Sequence, residues 1–184
     1  DLEAAAFVNY WADQGFRSFK AYIGIDKPTL KAAIDAAHKR KLKLTAHLDA
    51  VTYREAATLG IDNLEHGFLA SSDFAEGKKE NERPATGMTI KSLSKLDIQS
   101  DSVKQFIQFL IDKKVGITSS LAVFEGSTTT QPHPNEDAIN SMSPDTRDYY
   151  LKRLVIAKSA KAPTDMDQAF AKTARMEKMF YDMG

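Results

Sequence analysis

Three segments decide the fold: 16–23, reading Phe-Arg-Ser-Phe-Lys-Ala-Tyr-Ile; 42–48, reading Leu-Lys-Leu-Thr-Ala-His-Leu; and 61–67, reading Ile-Asp-Asn-Leu-Glu-His-Gly. Each reads as a short strand, and a helical pattern separates each from the next. Strand-helix-strand-helix-strand predicts adjacent parallel strands. Alternate residues of a strand share a face. Ser18, Lys20 and Tyr22 therefore point one way, and Phe19, Ala21 and Ile23 the other. Thr45 and His47 share a face, with Leu44, Ala46 and Leu48 opposite. One face suits a helix layer, and the other carries polar, titratable groups. This is the look of (β/α)8 barrel strands near the end where strand C-termini deliver the chemistry.

Working outward, residues 2–14 predict a helix with Ala5, Val8, Trp11 and Ala12 on one face, stopped by Gly15. Pro28 suits the first turn of the next helix, whose buried stripe is Leu30, Ala33, Ile34 and Ala37. Lys39, Arg40 and Lys41 suit the negative end of its dipole. Thr52-Tyr53-Arg54-Glu55 is a capping-box pattern, and Gly60 ends the helix that it opens. Residues 71–87 are polar and contain Pro84, so they read as a long surface loop, lid or binding segment. A short helix is expected over 90–96. A longer one starts at Asp101 or Ser102, with Val103, Phe106, Ile107, Leu110 and Ile111 inward. Residues 115–124 read as the fourth strand because they are rich in β-branched residues. A second long loop over 125–143 follows, then helices near 145–158 and 165–182, the last with Thr164 as N-cap.

Composition narrows the function classes. Lys+Arg and Asp+Glu are 25 each, so no basic field suggests nucleic acid or an anionic membrane. Hydrophobic residues make up 42% and no apolar run approaches the ~18 residues of a membrane span, so a soluble protein is expected. Without Cys there is no disulfide and no thiolate zinc site, though this does not fix the compartment. The 184 residues suffice for one sizeable domain, whereas a full barrel needs roughly 250. Both ends read as cut within helices, so a single barrel segment truncated at each end is expected.

His47 and His66, at the ends of neighbouring strands, are able to bring imidazole nitrogens to one divalent cation, zinc being the commonest. The plainer alternative is two polar residues at a barrel rim. Lys20, mid-strand between Phe19 and Tyr22, needs a reason to be there; a snorkelling or ion-paired Lys is the plain one. Tyr22 shares its face and is placed to donate to a bound carbonyl or carboxylate, or simply to pack with its hydroxyl satisfied. By alternation Glu65 points away from His66, to a helix or to a contact that supports the site from behind. His38 reads as a cap on its helix C-terminus and His133 as a surface residue, while Ser119 and Ser120 are placed to line a pocket. No Gly-x-Ser-x-Gly elbow and no Gly-rich phosphate loop is present.

Lys20 in Phe-Lys-Ala-Tyr, His47 in Thr-Ala-His-Leu and His66 in Leu-Glu-His-Gly-Phe together resemble barrel strands four, five and six of the metal-dependent amidohydrolase superfamily. The closest resemblance is to its imidazolonepropionase-like and Xaa-Pro dipeptidase-like branch. The resemblance implies that Lys20, when carbamylated, bridges two divalent metals, and that His47 and His66 bind one of them. It implies hydrolysis of an amide, peptide or cyclic-amide C–N bond in a small molecule such as a dipeptide. The family's His-x-His pair on strand one and its strand-eight Asp do not occur here and would lie beyond the chain ends. A non-catalytic structural or interaction domain derived from such a barrel is therefore the competing expectation. An isolated segment would expose two unpaired sheet edges, so marginal stability or homo-oligomers are expected. In that isolated segment Lys20 is expected unmodified, without an ordered binuclear centre.

Overall fold

A computed structural model describes residues 2–131, 134–160 and 162–184. His133 falls outside these residues. Four strands, β1 (Ser18–Ala21), β2 (Lys43–Ala46), β3 (Asn63–Glu65) and β4 (Gly116–Thr118), form one sheet in the order β1-β2-β3-β4. All neighbours are parallel, with Lys20 opposite Thr45, Thr45 opposite Asn63, and Asn63 opposite Gly116. The expected parallel α/β arrangement is present.

Helices α1 (Leu2–Asp13), α2 (Lys27–Lys39) and α3 (Tyr53–Leu59) fill the early connections. Asp26 caps α2 by accepting from the Thr29 N–H, and Pro28 occupies its first turn. Thr52 and Glu55 form a reciprocal capping box on α3, and Gly60, with φ 95°, ends it in the left-handed region. After β3 come a 3-10 turn (Gly67–Ala70), α4 (Met88–Lys95) and α5 (Asp101–Asp112). Beyond β4 lie α6 (Leu121–Glu125), α7 (Glu136–Asn140), α8 (Pro144–Lys158) and α9 (Asp165–Met183). Thr164 caps α9 in a second capping box, with Asp167.

The core lies on one side of the sheet. Ala21, Leu44, Ala46 and Leu64 project from the strands into a cluster with Leu30, Ile34, Phe106, Ile107 and Leu110. Burying one such large side chain contributes roughly 2 kcal/mol. The exposed Lys31–Asp35 pair contributes at most about 1 kcal/mol. That pair lies within α2, so the apolar stripes of α2 and α5 are what join these helices to the core. The other face carries Ser18, Lys20, Thr45, Asn63, Glu65 and Thr118, all exposed or half-buried. Parallel sheets usually have both faces covered; among the described residues this one has helices packed on a single face. No helix among the described residues is long and apolar enough to cross a membrane.

Three local expectations need correction. The fourth strand ends at Thr118 rather than Phe124, and 121–125 is helical. Its partner β3 ends at Glu65, so a longer β4 would have no ladder to join, and β-propensity yields to tertiary context. The loop over 125–143 contains α7, capped by Asn135. The segment 71–87 is not wholly a surface loop: Ser71, Ser72 and Ala75 are buried. There Asp73 accepts from the Tyr53 and Arg54 N–H groups at the start of α3.

Candidate functional site

The C-terminal ends of the strands bring the predicted residues together. Tyr22, just past β1, stands perpendicular to His47, just past β2, with ring centroids 5.2 Å apart. The His47 and His66 rings stand 4.4 Å apart at an interplanar angle of 72°. His66 Nδ1 lies 2.9 Å from Ser120 Oγ, beyond β4. That bond leaves Nε2 as the remaining donor atom of the ring, the arrangement usual for a metal-ligating imidazole.

Glu65 keeps the alternation, on the open face with Asn63, and His66 breaks it. The Glu65 side chain does not turn away from the site. Oε1 accepts from Thr45 Oγ1 at 2.7 Å, and Oε2 lies 3.6 Å from Lys20 Nζ. His66 nevertheless reaches His47, because its backbone leaves the strand with φ 71° and ψ 21°. A single left-handed residue breaks the period of two, so consecutive side chains both serve the sheet end. Non-glycine residues rarely hold this conformation, and they cluster where function needs them. Asn63 extends the network on the open face by donating to Thr45 and Thr118.

The turn is clamped from the core. Tyr53 is fully buried, and its hydroxyl donates to Glu65 O at 2.7 Å and Gly67 O at 2.9 Å, the carbonyls on either side of His66. Burial holds that hydroxyl protonated far above its usual range. Sequence reasoning missed Tyr53 because its partners are backbone atoms. Glu177 of α9 was missed as well; burial raises its carboxyl, against the opposing pull of the Ser119 hydroxyl and the Phe68 N–H.

Electrostatics favour a neutral imidazole at His47. Burial lowers its pKa, and the charges of His66 and Lys20 push the same way. Glu65 is held below the usual carboxylate range by the Thr45 hydroxyl, with Lys20 and His66 adding to it. The Lys20 side chain is 43% exposed, so it stands at an open face. His38 does not cap α2. Its Nε2 lies 2.9 Å from Asp62 Oδ2, which also accepts from the Leu44 N–H, while Lys43 donates to Oδ1 of the same carboxylate.

Beside the His pair lies a cavity of about 400 Å³, with His47, His66 and Ser120 at one end and Leu69, Ile90 and Phe124 among its walls. A larger cleft of about 530 Å³ lies between α2 and α3, on the outer helix layer. There Lys27 is already paired with Glu55 and Glu80, so the cleft lacks the free convergent groups of the strand-end site.

As a metal centre the donor set is partial. Two imidazoles at contact distance suit one edge of a divalent ion. Among the described residues no three His, Asp or Glu side chains converge as a ready site. No family model, curated protein or solved structure matches the chain.

Proposed function

We propose that the four-stranded sheet is a segment of a (β/α)8 barrel and that its strand ends carry part of a metal-dependent hydrolytic site for amide, peptide or cyclic-amide C–N bonds. The observation carrying this reading is the His47–His66 pair, 4.4 Å apart on neighbouring parallel strands, with Ser120 fixing the Nδ1 side of His66. His47 and His66 would hold one divalent ion, zinc by preference. Lys20, as a carbamate, would supply the bridging oxygens to a second. Such ions lower the pKa of a bound water and polarise a carbonyl. Tyr22 stands beside His47 at the rim, where its hydroxyl is placed to orient a small dipeptide or amide. The remaining ligands would come from other strands of the barrel.

The test is metal content in the full-length protein. His47→Ala and His66→Ala should each lose bound zinc and hydrolysis of a dipeptide and acyl-amide panel. Wild-type metal content in both variants would sink the assignment.

A second reading is a non-catalytic domain derived from such a barrel. It is favoured by the Lys20–Glu65 contact of 3.6 Å, which already gives Lys20 a partner. Under that reading Glu65→Gln leaves metal content at zero, as in the parent. Under the hydrolytic reading Glu65→Gln frees Lys20 and metal retention rises or holds.

A further inference from the structure

The cavity beside the His pair has a chemical polarity that selects its occupant. Leu69 of the 3-10 turn, Ile90 of α4, Val123 and Phe124 of α6, and Met166 of α9 line it with apolar surface. His47, His66 and Ser120 form one polar cluster, Ser127 beyond Phe124 adds a lone hydroxyl, and no Asp, Glu, Lys or Arg lines it. The walls are supported from behind. Ile90, Phe124 and Met166 pack on a buried cluster of Leu69, Leu93 and Ala169, separate from the main core. Four elements anchored on that cluster make a preformed pocket rather than a fold of loop. Its volume, about 400 Å³, lies at the small-molecule end of ligand sites, which run from ~300 to ~1,000 Å³.

We propose that this cavity binds the apolar portion of an amide ligand, a neutral aliphatic or aryl acyl group, with the amide directed at His47, His66 and Ser120. The assignment rests on the hydrolytic reading for the direction of the amide, and it narrows the substrate class. A charged group would lose its hydration against these walls and find no counter-charge there. An unbranched acyl chain replaces water along an apolar surface and gains with every methylene buried. Polar groups are few, and three of the four cluster at the His pair, the pattern by which a pocket sets ligand orientation.

The experiment uses straight-chain primary amides, butanamide through octanamide, with binding measured by calorimetry on the full chain. Affinity should rise roughly fourfold per added methylene until the cavity is filled. Ile90→Trp, which occupies the wall, should bring the plateau at a shorter chain. Met166→Glu, which sets a carboxylate there, should flatten the series. Circular dichroism confirms that each variant is folded, and the wild-type series decides the matter if either variant is not. Affinity independent of chain length in the wild type would overturn the pocket, as would a length dependence that both folded variants leave untouched. Turnover is read separately. Length-dependent binding without hydrolysis upholds the pocket and counts only against the hydrolytic reading.

Discussion

The hydroxyl of Tyr53 and the backbone of His66 form one unit: a single buried O–H spans Glu65 O at 2.7 Å and Gly67 O at 2.9 Å, and His66 lies between those carbonyls with φ 71°. The unit joins the first turn of α3 to the end of β3. Removing the donor in Tyr53→Phe leaves two carbonyls without it in the interior, a loss of about 1–3 kcal/mol. Urea unfolding should show a lower midpoint, and the His66 ring resonances should shift. An unchanged midpoint with unchanged His66 resonances would show that the hydroxyl clamps nothing.

Position 66 separates backbone from side chain. His66→Gly tolerates the left-handed backbone and deletes the ring. His66→Val deletes the ring and clashes with the same backbone, at about 1–2 kcal/mol or more. Zinc or amide binding should be lost in both, whereas only the Val variant should be markedly less stable than the Gly variant. Equal urea midpoints would contradict the strained turn.

Gly67 follows at φ 62°, and a Cβ there would overlap the Glu177 carboxylate. Gly67→Ala should therefore cost the left-handed penalty of about 1–2 kcal/mol plus the displacement of Glu177. In the double variant with Glu177→Ala the steric part disappears and the φ part remains. A double-mutant cycle should give a total loss smaller than the sum of the two single losses. Strict additivity would mean that the two side chains never meet.

The pH dependence follows from His47. Its folded pKa lies below the unfolded value of about 6.5 because burial, then His66 and Lys20, disfavour the imidazolium. The unfolded chain thus takes up the proton first as pH falls. Stability from this group is complete above about 6.5 and is lost as pH drops through the folded pKa. The slope of the urea midpoint against pH below 6.5 should be smaller in His47→Gln. His66→Gln should move the His47 titration, followed by NMR, part of the way back up, because burial remains. A His47 titrating at or above the free value would refute the account.

Much of the scaffold was legible because its signals are local. Leu30, Ala33, Ile34 and Ala37 repeat with the helix period, and Thr52 with Glu55 spells a capping box. Strand-helix alternation alone gave the parallel order. The strand ends at His47 and His66 were legible as well, as was their convergence. Three things were not. The length of β4 depends on where β3 stops, which residues 115–124 do not encode. The aim of His66 depends on its own φ angle, and His is not a residue that announces a left-handed turn as Gly does. The Tyr53 clamp joins a side chain to main-chain carbonyls, and carbonyls have no letter in a sequence.

The clamp has a consequence for anyone who would transplant this site. Residues 63–67 look like a portable cassette, a strand end with a carboxylate and an imidazole. Spliced into another parallel sheet, they would carry the side chains but not the hydroxyl that holds the turn. The smallest transferable module is α3 with β3, because the aim of His66 is set by an atom on the preceding helix.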